Sequence, residues 1–271
     1  MLKTLAGERI PQTGVGETVK TRTLEAALLL RLRRRSALVA GASLFAALYS
    51  VLGTIPVSRL VLGSGNFLTA GNFVTPLAGM IFGPVVGGLA AIIGDLIDAY
   101  AGYFTLGATG LAVMAADVAT VATAGLALSG RRIEALGLPL TVLVLYWLDP
   151  LSVLFVGQVP FTWLHMVSLV VLAGVLVLER GGRVSKVGPL FLVGVTFSAL
   201  MCGQLTGTLV GQNLAVRVYA TLSAAAWRSL VPLFFPLYPF ERIFFTAVGS
   251  LISVPVLRAL AGRRGPGDTR P

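Results

Sequence analysis

Long apolar runs separated by short polar breaks set the pattern of this chain. Residues 36–55, 66–82, 84–104, 105–129, 137–157, 160–178, 187–212 and 241–261 each read as a membrane-crossing helix, because about 20 mostly apolar residues are needed to span the hydrocarbon core. The second and third runs are divided at Gly83-Pro84. Proline suits the first turn of a helix, so Pro84 is expected to open the third span and Gly83-Pro84 to be the turn where the chain reverses. The pair 137–178 forms a hairpin broken near Gly157 and Pro160. The stretch 213–240 is apolar but interrupted by Pro232, Pro236 and Pro239. It reads as an outer-surface or re-entrant segment, which has to be buried in protein wherever it enters lipid. Residues 1–35 form a basic tail with an interfacial helix expected near its end, 36–261 the transmembrane domain, and 262–271 a second tail.

Composition fixes the class. The chain is 56% hydrophobic and only 12% charged, with a mean hydropathy of +0.88, whereas soluble domains carry about 25% charged residues. The segments are long and continuous, without the short alternation of an outer-membrane barrel. The expected fold is therefore all-α, a polytopic membrane helix bundle of about eight transmembrane helices. Charge then orients it. With the N-terminus inside, the inner segments collect 17 of the 21 Lys and Arg residues, and the outer ones hold Arg59, Arg217, Arg228 and Arg242. That asymmetry satisfies the positive-inside rule and places both termini in the cytoplasm. The net charge of +10 follows from topology and anionic lipid, so no nucleic-acid partner is called for. The N-terminus lacks the order of a cleaved signal peptide, and the first span is expected to act as its own insertion signal.

Several chemistries have no residues to carry them. A lone Cys202 forms no internal disulfide, and with His165 as the single histidine no His/Cys metal site is expected. No cofactor is expected either. The chain has no G-x-x-x-x-G-K-[ST] phosphate loop, no H-E-x-x-H and no G-x-S-x-G. An enzyme is not expected; His165 with Asp149 lacks a nucleophile to complete it.

The positive signals lie within the spans. Gly79, Gly83 and Gly87 repeat every four residues, and so do Gly203, Gly207 and Gly211; small residues at that spacing let helix backbones approach closely in a bilayer. Asp95 and Asp98 follow on the third span. At about 1.5 Å per residue they sit roughly 16 and 21 Å from the inner turn, and Asp117 on the fourth span falls at a depth similar to Asp95. A charge in the hydrocarbon core costs about 2.5–3.5 kcal/mol on insertion scales, so these carboxylates should face protein or water. Gly87, Ala91, Gly94, Asp95, Asp98 and Gly102 share one helical stripe, which reads either as the polar wall of a ligand cavity or as buried hydrogen bonding that fixes helix order. Toward the outer face lie Asn66, Asn72, Tyr103, Trp147, Asp149, Trp163, His165, Gln204, Gln212 and Asn213. All tyrosines and tryptophans fall on that side. One-sided aromatics suit an outward cavity with stacking surfaces beyond an ordinary interfacial belt. The candidate binding set is Asn72, Asp95, Asp98, Tyr103, Trp147, Asp149, Trp163, His165, Gln204, Gln212 and Asn213.

The stretch TPLAGMIFGPVVGGLAAIIGDLIDAY (75–100) resembles the P-x-x-x-G-x-x-x-G-P-x-x-G…G…D segment of substrate-binding S components of energy-coupling factor (ECF) transporters. The last span, FERIFFTAVGSLISVPVLRAL (240–260), is similar to their closing helix, and Ala42-x-x-x-Ala46 resembles the small-residue motif that docks on the shared transmembrane T component. The resemblance implies a six-helix core, here with 137–178 as an added hairpin. It also implies a high-affinity binding subunit for a vitamin or similar micronutrient in the cell membrane, with a T component and a pair of ATPases as partners. Cobalt and nickel members need an N-terminal Met-x-His, and this chain begins Met1-Leu2-Lys3, so a metal substrate is not expected. The competing reading is a self-contained secondary transporter or channel that uses the intramembrane aspartates for proton or cation coupling.

Overall fold

The structure, a computed structural model, describes residues 35–59, 67–102 and 106–262; the readings on the N-terminal tail, Asn66 and Tyr103 lie outside the described residues. Its helices are α1 (Arg35–Gly53), α2 (Thr75–Tyr100), α3 (Ala108–Leu128), α4 (Arg132–Leu148), α5 (Trp163–Arg180), α6 (Pro189–Asn213), α7 (Ala224–Phe234) and α8 (Tyr238–Gly262). Two small antiparallel hairpins, β1 (Pro56–Arg59) with β2 (Phe67–Thr69) and β3 (Phe155–Val156) with β4 (Val159–Pro160), lie in the loops. A 3-10 turn, Ala70–Phe73, leads into α2, and a π-turn, Leu214–Val218, ends α6.

The chain is an all-α polytopic helix bundle. Among the described residues, five segments are long and apolar enough to cross a membrane: Thr75–Tyr100, Ala108–Leu128, Trp163–Arg180, Pro189–Val218 and Tyr238–Ala261. The difference from eight has identifiable sources. The apolar part of α1 is the shorter Leu38–Gly53, α4 has 17 residues, and the expected second and third spans form the single run α2.

That run is not straight. Gly83 has φ 80° and ψ 176°, a backbone region that glycine reaches without a Cβ penalty, and Pro84 supplies no N–H to continue the ladder. The bend amounts to a reversal. A Cβ on Gly87 would lie 2.7 Å from the Ala78 carbonyl oxygen, although those residues would stand about 13 Å apart along one helix. The Tyr49 ring also lies against both Gly71 and Gly94, on the two sides of the bend. Thus α2 is a helical hairpin with unequal legs, Thr75–Phe82 and Pro84–Tyr100, about 12 and 25 Å long.

Helix α3 sits against both legs of α2 on one side and α6 on the other, and glycine makes both contacts close. A Cβ on Gly125 would meet the Pro84 nitrogen at 2.6 Å and the Gly79 oxygen at 2.9 Å; one on Gly79 would collide with the Val121 carbonyl. Across the other face, a Cβ on Gly203 would meet the Ala116 oxygen at 2.6 Å and one on Gly207 the Ala112 oxygen at 3.3 Å. Gly211 is buried near the end of the same helix. Away from the loop-rich end, Leu77, Met80, Leu172, Leu176, Phe191 and Leu257 fill the bundle.

Helix α1 leans on α2 with Phe45, Ala46 and Tyr49 inward. This corrects the placement of the small-residue docking pair. Ala46 is 1% exposed, with its carbonyl facing Gly94, and Ala42 packs on the same cluster, so the pair serves internal packing. The outward face of α1 carries Val39, Leu44, Leu48 and Val51 together with the exposed small residues Ser43 and Ala47.

Gly125→Ala should lower stability by about 1–3 kcal/mol, since its three nearest neighbours are backbone atoms that cannot give way. Gly88→Ala, with nothing within 4 Å of the added methyl, should be neutral or slightly stabilising. Thermal unfolding of the two variants in detergent checks the contrast, and equal midpoints would contradict the seam.

Candidate functional site

The buried carboxylates meet around one hydroxyl. Tyr49 Oη lies 3.1 Å from Asp95 Oδ1 and 2.5 Å from Asp117 Oδ2, so α1, the long leg of α2 and α3 share a single hydrogen-bonding centre. Asp95 and Asp117 are each 1% exposed. The second oxygen of Asp95 has no partner among the described residues. Asp98, one turn further along α2, accepts from Ser50 Oγ and lies against Gly53, where a side chain would collide with it. The sequence expectation that Asp95 and Asp117 share a depth thus corresponds to a direct link through Tyr49.

Beside this centre is a cavity of about 150 Å³ between α3, α6, α7 and α8. Asp117 reaches it from the carboxylate centre, and Asn72 reaches it from the turn before α2. Thr109, Ala112, Ala116 and Thr120 bring one face of α3 to it; Gly203, Gln204, Gly207 and Thr208 bring one face of α6. Aromatic rings close the rest: Phe161, Trp227, Phe234 and Tyr238. Glu241 and Arg242 come from the first turns of α8. Arg242 is 7% exposed, stands 5.6 Å over the Phe245 ring, and its Nε has no hydrogen-bond partner among the described residues. The Gln204 Oε1 is likewise buried without a partner.

A second polar group lies off the cavity and is closed upon itself. Asp149, at the end of α4, accepts from Leu151 N at 3.0 Å, Gln212 Nε2 at 2.9 Å, Arg217 at 3.1 Å and from Asn213 Nδ2. Gln212 also donates to Ser152 at 2.8 Å and accepts from Trp227 Nε1 at 3.2 Å, while Arg228 donates to the Pro150 carbonyl at 2.6 Å. These bonds clamp the end of α6 and helix α7 to the α4–α5 connection and hold the Trp227 ring over the cavity. Burial pushes the Asp149 carboxyl up, but its hydrogen bonds from Leu151, Gln212 and Asn213 and the Arg217 charge outweigh this and hold it below the usual aspartate range.

The structure therefore sorts the candidate residues. Asn72 and Gln204 line the cavity. Asp95 and Asp98 belong to the carboxylate centre beside it. Asp149, Gln212 and Asn213 form the clamp. Trp147 donates to Thr162 at 3.0 Å and is 46% exposed, and Trp163 is partly buried in the apolar cluster around Tyr146 and Phe161. His165 is buried between Phe161 and Tyr238, with centroid distances of 6.3 and 6.0 Å. Neither ring nitrogen has a partner among the described residues, and His165 does not line the cavity, whereas Phe161 and Tyr238 do. Tyr103 lies outside the described residues. Sequence reasoning left out Trp227, Tyr238 and Arg242 as wall residues. The available signal was Arg242 itself, an arginine in the first turns of a long apolar helix, on the side where the charge rule does not favour one. No group of His, Cys, Asp and Glu is placed to hold a metal among the described residues.

No family model matches the chain, and neither a curated protein nor a solved structure does.

Two outcomes follow. Tyr49→Phe deletes the hydroxyl between two buried carboxylates and should cost about 1–3 kcal/mol, seen as a lowered unfolding midpoint in detergent. Adding Asp95→Asn should recover part of it, because an amide can donate to Asp117 where a carboxylate cannot. Asp149 has a lower folded than unfolded value, so its contribution is complete above about pH 3.9 and is lost only as pH falls through the folded value. Hydrogen exchange across 149–162 and 212–217 should stay protected from pH 7 to 4 and open below. Asp149→Asn should abolish the acid step; a step near pH 6 would contradict the assignment.

Proposed function

We propose that this chain is the membrane-embedded, substrate-binding subunit of an ECF-type importer for a vitamin or similar small micronutrient, energised by separate ATPases through a transmembrane T component. The observation that carries the reading is the cavity between α3, α6, α7 and α8, whose α3 wall packs on the helical hairpin with the sequence that resembles the family segment. The charge asymmetry supports a reading with the cavity end of the bundle outside the cell and both termini in the cytoplasm.

The physical division of labour is then simple. Cargo enters from the outer face, and the roof of α7 and the β-hairpin loops shields it. The chain has no phosphate loop of its own, so release inward requires partners that favour a state binding cargo less tightly. The exposed Ser43 and Ala47 on α1 offer a place where a second helix can approach closely. A second reading, a self-contained proton- or cation-coupled transporter, draws on one observation, the Asp95–Tyr49–Asp117 link next to the cavity.

Co-expression with an ECF ATPase pair and T component should yield a complex that co-purifies, and Ser43→Leu with Ala47→Leu should break it without changing the unfolding midpoint. Uptake into vesicles should require internal complex and ATP. Uptake by the chain alone, driven by a proton gradient without ATP, would discard the importer reading in favour of the second.

A further inference from the structure

Arg242 is a buried cation with no carboxylate at ion-pair distance among the described residues. It is more than nine-tenths buried and lines the cavity between α3, α6, α7 and α8. A buried charge left without a partner is strongly unfavourable, and removing the partner of such a charge typically destabilises a protein severely. The carboxylates that share its cavity, Asp117 and Glu241, attract it but form no hydrogen bond or ion pair with it among the described residues. The Phe245 ring beneath the guanidinium stabilises a cation but leaves its N–H donors to be satisfied in the plane.

On a second wall, Gln204 offers the complementary need. Its Oε1 is a buried acceptor with no donor. Between these two groups the walls are rings and small side chains: Phe161, Trp227, Phe234, Tyr238, Gly203 and Gly207. The volume of about 150 Å³ sets the size, since an apolar cavity of about that volume in another protein takes up a single benzene molecule.

We infer that the cavity selects a planar, one-ring carboxylate that carries a hydrogen-bond donor: the carboxylate on the Arg242 guanidinium, the donor on Gln204 Oε1, and the ring among the aromatic walls. Arginine matches this anion by geometry as well as charge, because its planar fork meets both carboxylate oxygens. The inference rests on the reading of this cavity as the cargo site and names the class of cargo.

The test uses the full-length protein in detergent and isothermal titration calorimetry with three probes: 4-hydroxybenzoate, benzoate and 4-hydroxybenzamide. The wild type should bind 4-hydroxybenzoate saturably, at least tenfold tighter than benzoate, because a site built around a donor rejects the analogue lacking it. It should bind 4-hydroxybenzamide at least tenfold more weakly, since the amide has the shape without the charge. Arg242→Gln should erase the preference for acid over amide, and Arg242→Lys should keep part of it. Gln204→Leu should leave benzoate affinity unchanged and remove the preference for the hydroxylated probe. Should Arg242→Gln not fold, the wild-type comparison of acid and amide decides alone. The inference is overturned if the amide binds the wild type as tightly as the acid, or if neither binds up to millimolar concentration. Failure of the importer reading shows elsewhere, as loss of co-purification with T component and ATPases while the acid-over-amide preference persists.

Discussion

Backbone-to-backbone contact around α3 is the constraint on which the rest of the molecule depends. Lipid tails are as apolar as leucine side chains, so burial of hydrophobic surface does little to bring these helices together. Glycine removes the spacing that side chains would impose. At Gly79, Gly125 and Gly83–Pro84 the two legs of α2 and helix α3 touch through main-chain atoms, and at Gly203 helix α6 does the same on the far side. A helix gripped on both faces in this way has no freedom to rotate, and its polar stripe is fixed in direction. Asp117 is therefore held toward Tyr49 and the cavity, and Thr109, Ala112, Ala116 and Thr120 open onto the same space.

The interior then divides its polar groups by how fully they are satisfied. Asp149 is saturated by four donors and acts as a fastening. Tyr49 serves two carboxylates with one hydroxyl and ties three helices at one point. Arg242 Nε and Gln204 Oε1 stand without hydrogen-bond partners among the described residues, at the wall of a cavity of about 150 Å³. Satisfied groups mark where the protein completes itself, and the unsatisfied pair is what the proposed cargo would meet.

Much of this was legible in the sequence, and the reasons differ by feature. The helix class follows from apolar length. The reversal at Gly83-Pro84 was legible because glycine and proline have backbone requirements that do not depend on the rest of the fold. The shared depth of Asp95 and Asp117 followed from a constant rise per residue running in opposite directions. What was not legible depended on rotation about the helix axis and on contacts distant in sequence. Ala42 and Ala46 carry the small-residue pattern, yet the pair one residue further on, Ser43 and Ala47, faces out. Asp149, Gln212 and Asn213 look like ligand groups by type and position, and only the fold reveals that they bind one another. Arg242, counted with the outer charges at the start of the last run, becomes a wall residue because the rotation of α8 turns it into the bundle.

The unequal legs of the α2 hairpin have a consequence for how the cavity is gauged. Because the leg Thr75–Phe82 stops at about half the height of its partner, the loop before it descends into the bundle. Val57 and Phe73 pack against Leu200, near the midpoint of α6, and Phe245, about two turns into α8. The Gly83 turn is thus the zero mark of a ruler: each residue added to or removed from the short leg would shift the loop by about 1.5 Å and swing it by about 100°. Asn72 is the pointer on that ruler. The position of Asn72 on the cavity wall is thus set by counting residues from a glycine at the far end of the hairpin.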